Sequence, residues 1–162
     1  MKEYTLAIDP ASRLCGVSLF HGDSYIASIC LTSSFKTWSA RASQMRSQLK
    51  DFVLEHLPQN AVITRAVIEL IPKIVDPSVQ LIAGAIIADP AFQINPTRKF
   101  FVSPSSWKAF ARRKGCTMKD PKGVQALTEA GLQPSGNLEI KSEDIADSML
   151  LYYYWLEKHE TT

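Results

Sequence analysis

Residues 4–20 read YTLAIDPASRLCGVSLF, and the arrangement of the remaining chain can be worked out from them. Leu6, Ala7 and Ile8 are apolar on both faces of a pleated strand. A strand of this kind belongs in the middle of a sheet that helices cover on both faces. The strand should end at Asp9, because Pro10 cannot donate a hydrogen bond to a neighbouring strand. A carboxylate at the end of a buried strand needs a cation or water, so Asp9 is the first candidate functional residue.

Two further stretches place acids in comparable positions. Ala61–Glu69 is largely apolar on both faces, which predicts a second central strand, and it too ends in an acid. In open α/β sheets, ligands bind at the edge where the central strands end. The last helix is expected over Ser142–Lys158, where Asp144 and Asp147 lie three residues apart and so share one helix face.

The elements between these stretches complete an α/β pattern. The expected order is three strands, a helix, a strand, a helix, a strand and further helices, which is typical of a mixed sheet with helices on its faces. Besides those already given, the strands are expected at Cys15–Phe20, Ser24–Leu31 and Lys99–Ser103, and the helices at Trp38–Leu57, Pro77–Asp89, Ser105–Lys114 and Lys122–Ala130. A length of 162 residues fits one domain with a sizeable core. The sequence therefore predicts a single α/β domain over residues 1–162, with a five-stranded mixed sheet flanked by helices on both faces.

Composition narrows the class of protein. The chain is 46% apolar with a net charge of +2, and no apolar run reaches the roughly 20 residues of a membrane span. The start MKEYTLAID leads directly into a strand, which does not resemble a signal peptide. Three unclustered cysteines and three scattered histidines show no zinc-ligand spacing and favour a reducing compartment. We therefore expect a cytoplasmic protein that does not act on membranes.

The charges are unevenly distributed along the chain. The segment from Arg98 to Gly123 contains eight lysines and arginines and one acid, Asp120. A run of charge often means only a solvated helix face. Here Phe101, Trp107 and Phe110 interleave with the charges, a combination that favours a surface for nucleic-acid phosphates.

The acids of the last helix have a simple alternative explanation. Acids in a first helical turn stabilise the helix dipole, and Ser142 is a plausible N-cap, which would account for Glu143 and Asp144. Asp147 lies beyond that turn among apolar neighbours and is poorly explained in this way. If Asp9, Glu69, Asp144 and Asp147 converge, their four carboxylates cannot all ionise without a cation. Oxygen ligands of this kind select Mg²⁺ or Mn²⁺. Two such ions would suit phosphodiester hydrolysis.

Several motifs resemble those of RuvC-type Holliday-junction resolvases, in the RNase H-like superfamily. IDPASRLCGVSL resembles the first strand and hairpin of that family, IEL at 68–70 its second acidic strand, and EDIADSMLLYYY its last helix. SPSSWKAFARRKGCTMKDPKGVQALTEAG resembles its basic segment, so the likeness runs from about residue 4 to 155. It implies a homodimeric, structure-selective endodeoxyribonuclease that cuts four-way DNA junctions and leaves 5′-phosphates, with two Mg²⁺ per site and Mn²⁺ as a substitute.

The resemblance also assigns residues. It implies metal ligation and catalysis by Asp9, Glu69, Asp144 and Asp147, with Lys122 as the active-site lysine and Lys119 as the alternative for that role. Together with the basic segment, it implies DNA contacts by Lys73, Lys108, Arg112, Arg113, Lys114, Lys119 and Lys122.

The chain also departs from the family pattern. The family usually has glycine where Ala11 stands, and often an aromatic residue just past the second acid, where Pro72, Lys73 and Ile74 stand here. The way in which the junction is opened and any preferred cleavage sequence therefore stay undetermined. A bacterial or phage origin and contact with branch-migration machinery also stay open.

Other functions compete with this one. They are an RNase H-like nuclease on RNA–DNA hybrids or on other branched DNA, a non-catalytic junction-binding protein, and a sugar-kinase or actin-like nucleotide-binding domain. The last would need a glycine-rich phosphate turn, which is missing at Ala11-Ser12. Pro77–Asp89, with its small apolar residues, is the candidate dimerisation helix, and a core helix is an equal alternative.

Overall fold

The computed structural model describes residues 3–71, 77–88, 98–115 and 143–159. These residues form five strands and four helices, all at positions expected from the sequence. The elements are β1 Tyr4–Asp9, β2 Leu14–His21, β3 Ser24–Thr32, α1 Trp38–His56, β4 Ile63–Glu69, α2 Pro77–Ile87, β5 Lys99–Val102, α3 Pro104–Arg113 and α4 Glu143–His159. The helix predicted at Lys122–Ala130 lies outside the described residues.

The five strands form one mixed sheet in the order β3-β2-β1-β4-β5. Strands β1, β2 and β3 are antiparallel neighbours, while β4 runs parallel to both β1 and β5. The β2–β3 hairpin turns at Gly22, whose φ of 60° is readily adopted by glycine. The expected fold class, a five-stranded mixed sheet with helices on both faces, is confirmed.

Strand β1 separates two hydrophobic cores. Leu6 and Ile8 pack into the core that contains buried residues of α1 and α2. Ala7 points to the opposite face and packs into the core that contains buried residues of α3 and α4. Because side chains alternate across a strand, the continuous apolar run of β1 fills both cores, as its sequence predicts.

Helix α2 has two distinct faces. Val79, Ile82, Ala83, Ile86 and Ile87 are buried at helical spacing and form the inner face. The outer face includes Gln80, Leu81, Gly84 and Ala88, which are exposed. The core-helix alternative therefore describes the inner face of this helix.

No helix in the described part of the chain is long and apolar enough to cross a membrane.

Candidate functional site

Two of the candidate acids lie side by side at one edge of the sheet. Asp9 is the last residue of β1, opposite Gly16 of β2. Strand β4 runs parallel to β1 with Ile8 opposite Ile68, so Glu69 ends its strand next to Asp9. Both acids are partly buried. The carboxyl ends of neighbouring parallel strands therefore bring together two carboxylates that are 60 positions apart in the sequence.

Helix α4 brings the other two carboxylates over this edge. Its first turn approaches β2 so closely that a Cβ atom at Gly16 would overlap the backbone carbonyl of Asp144. Ile145, Ala146 and Met149 are buried in the core beneath the helix. The apolar residues fix the orientation of the helix, and Asp144 and Asp147 are left partly exposed on the side of Asp9.

The electrostatics of Asp9 reflect this convergence. Burial raises the pKa of the Asp9 carboxyl to about 8, from an ordinary value of 3.8, and the negative charges of Glu69, Asp147 and Asp144 add to the shift. The ammonium group of Lys108 acts in the opposite direction and lowers this pKa. The three other carboxylates named from the sequence, and Lys108, therefore all lie near enough to Asp9 to act on its charge.

The chemistry of these donors fits a hard divalent cation. Oxygen ligands select Mg²⁺ or Mn²⁺, and a cation between the acids would favour the ionised form of Asp9. Within the described residues, no three Asp, Glu, His or Cys side chains are yet grouped closely enough to hold a metal ion. The donor set thus matches such an ion in charge and chemistry, and the side chains would have to draw together to complete its coordination.

Trp107 is a buried neighbour of the site, which its place among basic residues in the sequence did not indicate. Its indole Nε1 donates a hydrogen bond of 2.6 Å to Oε2 of Glu69, and the side chain is 1% exposed. Phe110 is buried as well, whereas Phe101 is 57% exposed. Of the three aromatic residues that interleave with the charges in the sequence, Trp107 and Phe110 are therefore core residues, and Phe101 alone is exposed. The spacing of Trp107, Phe110 and Ala111 is that of a buried helix face.

The candidate DNA-binding residues fall into three groups. Lys108 lies near enough to Asp9 to lower its pKa, and its Nζ is 5.3 Å from the centroid of the Trp107 ring. Arg112 and Arg113 are exposed on α3. Arg113 and the adjoining Lys114 both pair with Glu157 of α4, at 2.9 and 3.2 Å. The remaining candidates, Lys73, Lys119 and Lys122, lie outside the described residues.

Arg113 and Lys114 thus have a second role beside the one expected from sequence. Their pairing with Glu157 joins α3 to α4, the two helices that flank the site. Exposed ion pairs of this kind are worth little individually. Both side chains keep donors for a phosphate, and Arg112 shows no ion pair with any residue in the described segments.

No family model matches the sequence, and no curated protein matches it either. Three solved structures with the same fold are Holliday-junction resolvases. One is RuvC of Thermus thermophilus in complex with a Holliday junction substrate, with a TM-score of 0.62 and 11% identity over 97% of this chain and 96% of that one. A second RuvC structure from that organism gives a TM-score of 0.60 and 13% identity, over 96% of both chains.

The yeast mitochondrial Holliday junction resolvase has a TM-score of 0.61 and 14% identity, covering 96% of this chain and 79% of that one. At these identities the likeness shows a common fold. The resemblance to RuvC-type resolvases noted in the sequence is thus confirmed for the architecture of the chain.

Proposed function

We propose that the protein is a divalent-metal-dependent endonuclease, in a single RNase H-like domain, that resolves four-way DNA junctions and leaves 5′-phosphates. The observation that supports this most directly is the gathering of Asp9, Glu69, Asp144 and Asp147 at one edge of the sheet. Burial, together with the negative charges of the other three acids, raises the pKa of Asp9, and a divalent cation would favour its ionised form. A group of carboxylates of this kind beside a basic segment suits phosphodiester hydrolysis.

The four carboxylates would hold two Mg²⁺ ions, with Mn²⁺ able to substitute. When bound, such ions lower the pKa of water and neutralise charge on the leaving oxygen. The chain itself contributes position: the ends of β1 and β4 fix Asp9 and Glu69, and the packing of α4 fixes Asp144 and Asp147. Lys122, or Lys119 in its place, is proposed to steady the scissile phosphate.

The basic residues of α3 would bind the DNA backbone. Lys108 and Arg112 both lie on α3, where Lys108 is near enough to Asp9 to act on its charge and Arg112 is exposed. Lysine and arginine side chains bind phosphates with little regard for sequence. This arrangement supports a substrate recognised by its backbone path, and branched DNA agrees with the Holliday junction substrate bound to RuvC of Thermus thermophilus.

A resolvase must cut two strands symmetrically, which calls for two sites related by a two-fold axis. We therefore propose a homodimer. The outer face of α2 supports this proposal, because it presents Leu81 and Gly84 to solvent within the described residues. Its inner face is occupied by the core of the same chain.

The test is a gel assay on a synthetic four-way junction, with and without Mg²⁺. Asp9→Asn and Asp147→Asn should each lower the cleavage rate at least about 100-fold, because each removes an ionised metal ligand. Junction binding measured in the absence of metal should be retained. Cleavage by either variant at the wild-type rate would refute the ligand assignment.

Parallel reactions on an RNA–DNA hybrid and on linear duplex identify the substrate class. We expect the junction to be cut at least tenfold faster than either. A preference for the hybrid would replace the resolvase proposal by an RNase H-like activity with the same carboxylates.

A further inference from the structure

We infer that Trp107 is a positioning residue for Glu69, and that its indole N–H sets the orientation in which this carboxylate meets a divalent cation. The inference rests on the proposed function, in which Glu69 is a metal ligand. It adds a residue that is neither acidic nor basic to the site.

The contact has the geometry of a specific interaction. The hydrogen bond from Nε1 of Trp107 to Oε2 of Glu69 is 2.6 Å long, slightly shorter than the roughly 2.7–2.9 Å typical of N–H···O bonds with a charged partner. An indole N–H is a donor only and does not titrate. It therefore occupies one lone pair of Oε2 under all conditions and leaves Oε1 available to another partner.

The indole is held rigidly, so it can hold the carboxylate in turn. Trp107 is 1% exposed in the core that contains Val67 of β4 and Val102 of β5. Helix α3 starts at a fixed place, because Ser103 caps it by accepting a hydrogen bond from the backbone N–H of Ser106. Strand β5 pairs with β4 up to Val102 opposite Glu69. Donor and acceptor are thus fixed by the same pair of strands.

The Trp107 side chain contacts two charged residues of the site, Glu69 and Lys108. Its face is 5.3 Å from the ammonium nitrogen of Lys108, and Lys108 in turn acts on Asp9. One side chain therefore touches Glu69 through its edge and Lys108 through its face.

A second tryptophan provides the matched control. Trp155 is 4% exposed in the same core. Its buried Nε1 has no hydrogen-bond partner among the described residues. Replacing either tryptophan by phenylalanine removes an indole N–H and some apolar volume from one core. Only Trp107→Phe removes a donor from a candidate ligand.

The experiment measures cation binding directly, by the rise in Tm that Mn²⁺ or Mg²⁺ produces in the full-length protein. We expect Trp107→Phe to raise the apparent Kd roughly 10-fold to 100-fold, as for other partners of metal ligands, and Trp155→Phe to leave it within about twofold. The effect should vanish in a Glu69→Gln background, since coupled residues are non-additive. Equal Kd values for the two phenylalanine variants would overturn the inference, as would wild-type protein that no cation stabilises.

A spectroscopic readout covers the case in which Trp107→Phe folds poorly. In the wild-type protein labelled with ¹⁵N, the indole N–H resonance of Trp107 should move on adding Mg²⁺ and on changing Glu69 to Gln, while that of Trp155 stays. A Trp107 indole resonance whose chemical shift stays the same after both changes would overturn the inference.

Failure of the proposed function looks different. If the wild-type protein binds Mn²⁺ and does not cut the four-way junction, the resolvase proposal fails, and the comparison of Trp107 with Trp155 still decides the role of Trp107. If the junction is cut and both phenylalanine variants respond to Mg²⁺ alike, the positioning role fails and the resolvase proposal stands.

Discussion

The carboxyl group of Asp9 lies where burial and three neighbouring carboxylates all oppose its ionisation. Its pKa of about 8 in the folded chain far exceeds the value expected in an unfolded one. A group whose folded pKa is raised stabilises the fold fully below its unfolded pKa, near 3.8, and loses that contribution as the pH rises through its folded value. Asp9 should therefore make the metal-free protein less stable from weakly acidic to weakly alkaline pH.

Thermal unfolding across this pH range tests the point. In the absence of divalent ions, the Tm of the wild-type protein should fall on the order of 10 °C more between pH 5 and 9 than that of Asp9→Asn, which has no charge to acquire at this position. Mg²⁺ at pH 8 should restore much of the wild-type Tm and little of the variant's. Parallel pH profiles for the two proteins would contradict the assigned electrostatics.

Lys108 is predicted to contact a phosphate of the DNA. Lys108→Ala should weaken junction binding across sequences and reduce the dependence of log K on log salt by about one, because one phosphate contact is lost. Lys50→Ala is the control, since Lys50 is exposed on α1, across the sheet from the site. An unchanged salt dependence in Lys108→Ala would mean that DNA binds elsewhere.

At the scale of residues, the acids were predictable and Trp107 was not. Asp9 and Glu69 each end an apolar strand, and strand ends meet at one edge, so sequence pattern is enough to pair them. The hydrogen bond from Trp107 depends on how far β5 extends along β4 and on where α3 begins. Local sequence specifies neither quantity, and a tryptophan among lysines and arginines has two plausible surroundings.

At the scale of elements, the approach of α4 to β2 determines where its acids lie. Gly16 permits this approach because it has no side chain, and a Cβ atom there would overlap the backbone of Asp144. Gly16→Ala should move the first turn of α4 away from Asp9. We expect a loss of about 1–3 kcal/mol of stability from overpacking and at least a tenfold loss of cleavage.

Gly84→Ala is the matched control for the stability of the single chain, measured in the monomeric Leu81→Glu background. A Cβ atom at Gly84, in the interior of α2, would meet nothing within 4 Å in the described structure. Alanine in a helix interior is about 0.5–1 kcal/mol more favourable than glycine, so the Tm should rise slightly. A Gly16→Ala protein with the wild-type Tm and activity would show that α4 can tolerate a side chain at this position.

The elements themselves were largely readable from the sequence. Strand β1 and helix α1 agree with their expected ranges because apolar periodicity is strong in both, and the ends of α1 have local signals at Thr37 and Pro58. The closeness of α4 to β2 was not readable. Gly16 lies inside a strand and has no turn conformation that would require glycine. Glycine is needed there because the backbone of Asp144, 128 positions away, lies against it.

At the scale of the whole molecule, the proposed dimer predicts the effect of a charge on α2. Leu81 is 45% exposed on its outer face. Leu81→Glu should convert a dimer to a monomer in sedimentation analysis, and junction cleavage should change from paired cuts to single nicks. Leu54→Glu, at a residue that is 69% exposed on α1, should leave the mass unchanged. A wild-type protein that is monomeric both free and on the junction would rule out this assembly.

The architecture was predictable at this scale because few strand orders are compatible with this pattern of elements. Two strands are apolar on both faces, an early hairpin fixes two neighbours, and helices must cover both faces of the sheet. The assembly was not, since the outer face of α2 carries small residues that are as compatible with solvent as with a partner. The structure adds that one face of α2 is buried in the core and that the other is exposed, so only the exposed face could take part in a dimer.

The position of α4 in the chain has a consequence for folding during synthesis. Asp144 and Asp147 follow Glu69 by 75 and 78 positions, so ribosomes release the sheet well before the helix that completes the acid cluster. A growing polypeptide would expose Asp9 and Glu69 without the other half of the cluster, and such distant segments come together late in folding. A chain in which α4 has not yet been synthesised would therefore lack half of the proposed cation site.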